Sequence, residues 1–385
     1  MSRPGPESPR FKDPLDVELG TRPIPRRSGA IPAFLRRHAA LGLAPVIAPA
    51  VVFVPLGVIA GPQGLRILNQ SVLGYLDPVV SVALAALGIF AGLAIDDILR
   101  RPRLVAASAV EAGVTLLVVT LVLAYLVAAW RLPMALPVLV VALCLGLGAS
   151  PSSAPALGAE HPAARVADLD DLVPIAGVAI LLAALYPGRP ALLLLAVTVV
   201  IGLAVGIVTD LLLGDHRGPS ERVVIAVGAL LLLGGAAAYA SVSPLAAGFV
   251  AGAFWRRGGR RRRVGETILG DIQKLHHPLV VLLLIVAGAS SVFTVEVLWL
   301  SAALGLSRLL GKLAGGFLGS RIAGGLAPAD LGLLLLPPGV FGIAVLLNAQ
   351  HVLGVAAMAP ALTATVLASV LFEVVGLAAA HEEPQ

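Results

Sequence analysis

Apolar runs of about 20 residues, the length a helix needs to cross a bilayer, recur along this chain from Leu41 to Ala380. Lipid offers the backbone no hydrogen-bond partners, so runs of this length indicate transmembrane helices. The pattern predicts about twelve spans, over residues 41–61, 78–96, 105–130, 133–157, 167–186, 190–213, 222–240, 243–255, 277–292, 295–320, 328–349 and 357–380.

Composition supports an all-α integral membrane protein. The chain is 58% hydrophobic and 13% charged over 385 residues, and its mean hydropathy is +0.97, whereas soluble domains are about 25% charged. The many glycines and alanines favour close packing between helices in lipid. The single Cys144 lies inside an apolar run and is interpreted as a packing residue. No nucleotide-binding loop, metal cluster or catalytic-triad spacing is recognisable, so we expect neither an enzyme nor a cofactor.

Charge placement predicts the domain organisation and the orientation. Residues 1–38 are polar, basic and rich in proline, which predicts a disordered cytoplasmic tail. We expect residues 39–381 to form the membrane domain and 382–385 a short cytoplasmic C-terminus. With the N-terminus inside, 22 of the 27 Lys and Arg residues fall on cytoplasmic segments. This bias predicts both termini in the cytoplasm of a cell (inner) membrane protein, and it explains the net charge of +5 without nucleic acid.

Ionisable residues inside predicted spans are few, and such residues usually mark function. Asp168, Asp170 and Asp171 stand at the beginning of span five. Asp168 could be the N-cap of that helix, with the other two acids favoured by the helix dipole. Three acids are more than capping needs, and Pro174 leaves the Asp170 carbonyl without its helical donor. The oxygens of this cluster would suit a small cation. The other candidates are Asp96, Asp97, Glu111, Asp210, Glu296, Arg308, Lys312 and Glu373.

Two other spans are interrupted by proline and glycine. Span four ends in a segment with Ser150, Pro151 and Ser152, and span eleven contains Pro337, Pro338 and Gly339. Broken spans at corresponding positions of two halves indicate the substrate site of a secondary transporter. Span eleven comes seven spans after span four. The same offset pairs span three, which carries Glu111, with span ten, which carries Lys312, and pairs span five with the span of Glu373.

Lys312 requires an acidic partner in the middle of the membrane, and the acids of span five are the natural candidates. If they pair, an arriving cation competes with the ammonium, and a lysine deprived of its partner can release its proton. Cation binding and proton release would thereby be coupled. Arg308, one turn earlier on the same face, could make the pair instead. Its charge is permanent, so we favour Lys312.

Eight segments resemble, in order, motifs of the monovalent cation:proton antiporter superfamily, in its sodium/proton exchanger and Kef-type branch. The resemblance covers residues 41–380. The segments are VPLGVIAGPQGLRIL (54–68), LGIFAGLAIDD (87–97), GASPSSAP (148–155), DLDD (168–171), SPLAAGFVAGAFW (243–255), GKLAGGFLGSR (311–321), LLLLPPGVFGIAV (333–345) and FEVVG (372–376).

This resemblance implies an inverted-repeat fold with a core of crossed, broken helices and a dimerisation domain, and therefore a homodimer in a lipid bilayer. It implies exchange of sodium, lithium or potassium for protons. Asp170 and Asp171 would bind the cation and the proton, with Asp171 the more direct ligand, and Lys312 would be the salt-bridge partner of Asp170. An Asp–Asp pair with a lysine resembles the electrogenic class. Asp168 and Glu373 would support the site.

The chain departs from the family pattern at several positions. Ala94 replaces a family glutamate, and Pro338 and Val340 replace an Arg and a Glu. The acids also follow the broken fourth span closely, so either span five begins earlier than predicted or the site is shallow or degenerate. Two alternatives therefore remain: a sodium-coupled organic-anion carrier, for which Asn348, Gln350 and the serines at 150–153 would serve, and a non-transporting degenerate paralogue.

Overall fold

The computed structural model describes residues 49–99, 101–131, 135–153, 161–212, 218–257 and 262–381. The predicted tail over 1–38 and the C-terminus over 382–385 lie outside these ranges. Regular structure within them is helical. The helices are α1 (Pro49–Ala60), α2 (Gln70–Leu99), α3 (Pro102–Ala129), α4 (Val138–Ala149), α5 (Pro162–Asp170), α6 (Leu172–Leu185), α7 (Ala191–Leu212), α8 (Pro219–Tyr239), α9 (Pro244–Arg257), α10 (Arg262–Ala289), α11 (Val295–Ala323), α12 (Leu331–Leu334), α13 (Val340–Leu353) and α14 (Val355–His381).

The described residues contain six helices that are long and apolar enough to cross a membrane, in α2, α3, α7, α8, α11 and α14. Four shorter apolar segments accompany them, in α1, α4, α10 and α13. The protein is therefore an all-α, multi-pass membrane protein, as the sequence predicted. Proline-containing segments interrupt predicted spans four and eleven. The regular helices that remain there, α4 and α13, are therefore short.

Helices α2, α7, α8 and α9 form a bundle that we call the scaffold bundle. Its tightest contact joins α2 to α9 through small residues. Gly88 lies against the Leu245 carbonyl and Gly248 against the Ala85 carbonyl, so closely that a Cβ on either glycine would overlap backbone. Gly92 and the facing helix repeat the arrangement one turn later. Small residues at this spacing let two backbones approach closely in lipid.

Helices α3–α6 and α11–α14 form a second bundle that we call the core bundle. Its longest contact joins α3 to α11. Gly311, Gly315 and Gly319 of α11 pack against the α3 backbone near Thr115, Glu111 and Ala107, respectively. This packing places Lys312 of α11 at the same level as Glu111 of α3.

The two interrupted helices meet inside the core bundle. Helix α4 ends at Ala149, and residues 151–153 continue without regular structure. A second irregular segment separates α12 from α13. The Ser153 N–H donates to the Pro337 carbonyl over 2.8 Å, so the two irregular segments are bonded to each other. Each interruption leaves backbone groups free for other partners, as the proline and glycine content predicted.

Span five differs from its predicted form. It is two helices, α5 and α6, which meet at Asp171, and the helical stretch begins at Pro162 rather than at residue 167. The His161 ring accepts a hydrogen bond from the Ala163 N–H and caps α5, so the N-cap interpretation of Asp168 is wrong. Pro174 falls in the first turn of α6, where a missing N–H is tolerated. The acids therefore lie in the middle of this stretch.

Candidate functional site

The candidate site lies where α3, α11 and the end of α4 meet the junction of α5 and α6. Its centre is an ion pair between Lys312 and Asp170, with Nζ 3.1 Å from Oδ2. Both side chains are fully buried. A buried ion pair requires further hydrogen bonds to offset the cost of removing both charges from water.

The break in α4 supplies those hydrogen bonds. The Ser152 N–H donates to Asp170 Oδ1 over 3.1 Å, and the Ser152 hydroxyl donates to Asp170 Oδ2. Lys312 Nζ donates to the Ser150 carbonyl and to the Ser152 hydroxyl oxygen. In a continuous helix these backbone groups would have bonded within the helix, so the interruption at Pro151 makes them available to the site.

Glu111 is a second carboxylate on the same ammonium. Its Oε1 lies 2.9 Å from Lys312 Nζ, and its side chain is fully buried. The Thr115 hydroxyl donates to the same oxygen over 3.1 Å, whereas Oε2 has no hydrogen-bond partner among the described residues. Glu111 was a candidate from its position inside a span, but it was not assigned to the site. The offset that pairs spans three and ten was the signal for it.

Asp171 lies between α5 and α6 and is buried, with 7% of its surface exposed. Its Oδ1 has no hydrogen-bond partner among the described residues. A buried carboxylate oxygen without a donor is costly and uncommon in folded proteins. A bound cation or a proton would satisfy it. Asp168, in the turn before, is exposed.

Arg308 is buried one turn from Lys312, but its guanidinium bonds backbone rather than a carboxylate. Nε and Nη2 donate to the Leu336 carbonyl over 3.3 and 3.1 Å, and Nη2 donates to the Pro151 carbonyl over 2.9 Å. Nη1 donates to the Ala149 carbonyl. Arg308 thus joins the ends of both interrupted helices and places a positive charge at the C-terminus of α4, which the helix dipole favours.

The remaining predicted residues are distributed around this centre. The Pro337 carbonyl accepts from Ser153, and Gly339 packs so closely on Ser153 that a Cβ there would lie 2.9 Å from the Ser153 Cβ. Pro338 lies between them in the same irregular segment. Glu373 of α14 lies near the Val51 backbone at the beginning of α1, and its Oε2 has no hydrogen-bond partner among the described residues. The structure therefore places Glu373 against α1, whereas Asp168 lies at the surface.

Two polar contacts join the core bundle to the scaffold bundle through α13. The Asn348 side-chain amide donates to the hydroxyl of Ser243, just before α9, over 3.0 Å, and both residues are buried. His351 Nδ1 lies 3.0 Å from Asp77 Oδ2 of α2, at a more exposed position. Asn348 therefore has a structural partner.

The centre of the candidate site combines buried groups of both charges. Three buried carboxylates, of Glu111, Asp170 and Asp171, lie in this part of the core bundle together with the Lys312 ammonium, the Arg308 guanidinium and several buried serine and threonine side chains. Asp170 Oδ2 accepts from Lys312 Nζ and from the Ser152 hydroxyl, whereas Oδ1 accepts from the Ser152 N–H.

No protein-family model matches this sequence, and no curated protein sequence matches it. The fold is similar to that of a solved structure, the sodium proton antiporter MjNhaP1 from Methanocaldococcus jannaschii at pH 8. The TM-score is 0.56 and the sequence identity 15%, and the similarity covers 89% of this chain and 92% of that one. At this identity the likeness concerns the fold. The predicted antiporter-type membrane fold is therefore confirmed.

Proposed function

We propose that this protein is a secondary active antiporter that exchanges a monovalent cation for protons by alternating access. Sodium is the first choice, and potassium and lithium are the alternatives. The observation that carries the proposal is the buried cluster of Asp170, Asp171 and Lys312 at the crossing of two interrupted helices. Intramembrane charges at such a crossing are characteristic of transport sites.

In this mechanism the cation binds between Asp170 and Asp171. Asp171 supplies Oδ1, the oxygen that lacks a donor among the described residues. Asp170 is kept in place by the two hydrogen bonds from Ser152 while the ammonium of Lys312 gives way. On the opposite half-cycle Asp171 carries a proton at the oxygen that the cation has left, and Lys312 returns to Asp170.

The surroundings of the protein are part of the proposal. We place it in the cell (inner) membrane with both termini in the cytoplasm, because most Lys and Arg residues then fall on the cytoplasmic side. We expect a homodimer, as the resemblance to the antiporter superfamily implies. Its partners would be monovalent cations, protons and lipid.

The test is transport by the purified protein in liposomes that contain a pH-sensitive dye and an acidic lumen. Sodium, potassium and lithium are added outside one at a time. We expect one of them to make the lumen alkaline, and we expect Asp171→Asn to reduce this response to that of empty liposomes while the protein remains folded. Asp210→Asn, which changes an acid at the end of α7 in the scaffold bundle, is the matched control.

A folded protein that responds to none of the three cations would contradict the proposal. Sodium-dependent uptake of an organic anion would then indicate the carrier alternative. Absence of both activities would indicate a degenerate paralogue. An Asp171→Asn variant with normal exchange would leave antiport in place and remove Asp171 from the site.

A further inference from the structure

Lys312 has two carboxylate partners at nearly equal distances. Its Nζ lies 2.9 Å from Glu111 Oε1 and 3.1 Å from Asp170 Oδ2, and all three side chains are fully buried. An ammonium carries three N–H donors and can serve both acids at once. Asp170 is also the chain neighbour of Asp171, whose Oδ1 is buried without a hydrogen-bond partner among the described residues, whereas Glu111 belongs to another helix.

The two carboxylates belong to different kinds of backbone. Glu111 lies inside the continuous helix α3, and Gly315 of α11 packs directly on its backbone, where a Cβ would lie 2.6 Å from the Glu111 carbonyl oxygen. Glu111 and Lys312 are therefore held together by two continuous helices. Asp170 ends α5 and is held by Ser152 in the irregular segment after α4. The Glu111–Lys312 contact can persist when the Asp170 contact is broken.

Glu111 can also accept a further hydrogen bond. Its Oε2 is buried without a hydrogen-bond partner among the described residues, although Oε1 accepts from both Thr115 and Lys312. A buried acceptor in this condition is costly unless another state of the protein satisfies it. An ammonium that left Asp170 would have a donor free for this oxygen.

We propose that Glu111 is a positioning residue of the cation site: the Lys312 ammonium turns fully to Glu111 when a cation takes Asp170, and Glu111 thereby sets the affinity for the cation. The inference rests on the proposed antiport function and goes beyond it, because it adds a residue that never touches the cation. Without Glu111 the displaced ammonium would be buried with no carboxylate partner, which is strongly unfavourable. It would then stay on Asp170 and compete with the cation.

The test compares KM and kcat for the transported cation in the liposome assay across four proteins: wild type, Glu111→Gln, Lys312→Met and the double variant. We expect Glu111→Gln to raise KM by about tenfold, within the range of coupling between contacting residues, and to change kcat less. Lys312→Met should not raise KM, because it removes the competitor. The double variant should have the KM of Lys312→Met, since Glu111 acts only through Lys312.

Two further variants separate this role from a purely structural one. Glu111→Asp keeps the charge and should return KM most of the way to the wild-type value. Thr120→Val changes a buried residue on the same helix, beyond the Lys312 contact, and controls for general disturbance of α3; it should leave KM unaltered.

Several results would overturn the proposal. One is a Glu111→Gln variant with wild-type KM, and another is a double variant in which the two single effects simply add. If Glu111→Gln does not fold, Lys312→Met is compared with the double variant, which carries neither of the two charges. A difference in KM between these two variants would reject the positioning role of Glu111. A wild-type protein without cation-driven proton movement rejects the antiport function itself, whereas normal wild-type exchange with an unaltered Glu111→Gln rejects only the inference about Glu111.

Discussion

The scaffold bundle and the core bundle hold their helices together by different means. In the scaffold bundle α2 and α9 touch backbone to backbone through Gly88, Gly92, Gly248 and Gly252. In the core bundle the same kind of glycine contact joins α3 to α11, but charged side chains of α11 bond the freed backbone groups of the interrupted helices. Lipid supplies no hydrophobic drive for association between helices, so packing and polar contacts must provide it.

This difference predicts that substitutions in the two bundles affect stability and ion exchange to different degrees. A change at a scaffold glycine should prevent the fold from forming without altering any group that binds an ion. A change at a core charge should impair exchange and also cost stability, since a partner group stays buried. The following substitutions test this separation, from the largest expected effect to the smallest.

Gly248→Leu should abolish folding, because its Cβ would overlap the Ala85 carbonyl and overpacked backbone contacts cannot relax as side chains do. Little monodisperse protein should be recovered in detergent. The melting temperature of any recovered protein should lie far below that of the wild type. Gly235→Leu on α8 is the control, since nothing lies within 4 Å of a Cβ there. Equal recovery of both variants would contradict close α2–α9 packing.

Lys312→Ala should destabilise the protein by about 3–5 kcal/mol, the cost of leaving buried partner charges uncompensated. Glu111 and Asp170 would then face each other without a cation between them. The free energy of unfolding in detergent measures this effect. Lys312→Arg keeps the charge and should recover part of the stability. An unchanged unfolding free energy would mean that the pair contributes nothing to the fold.

Arg308→Ala should cost about 1–3 kcal/mol, because buried carbonyls at the ends of both interrupted helices would lose their donor while no carboxylate loses a partner. Hydrogen exchange in residues 335–340 should rise together with the drop in unfolding free energy. Arg308→Lys keeps the charge with fewer donors and should give an intermediate value. An Arg308→Ala variant with the unfolding free energy of the wild type would contradict a role of Arg308 in joining the two interrupted helices.

His351→Gln should have the smallest effect, about 1 kcal/mol or less, because its partner Asp77 is half exposed and exposed ion pairs contribute little. The melting temperature should barely change. Asn348→Ala, which removes the buried contact with Ser243, should cost more and serves as the comparison. A large loss in His351→Gln alone would mean that this contact holds the two bundles together.

Much of the fold could be predicted from local sequence. Apolar runs predicted the helices, and the segments around Pro151 and Pro337 predicted both interruptions, since a missing N–H acts on its own turn. The beginning of span five was not predicted, because residues 162–166 carry an arginine and no long apolar run. The contact of Glu111 with Lys312 joins residues 201 positions apart in the chain. Only the packing of α3 on α11 creates it, and no local pattern encodes that.

The hydrogen bond from the Ser153 N–H to the Pro337 carbonyl has a mechanical consequence. An irregular segment alone would act as a hinge, and two independent hinges would let α4 and the α12–α13 pair swing separately. Joined at this bond and through the guanidinium of Arg308, the two segments are expected to move together. A large movement of one interrupted helix would have to break these hydrogen bonds or carry the other helix with it.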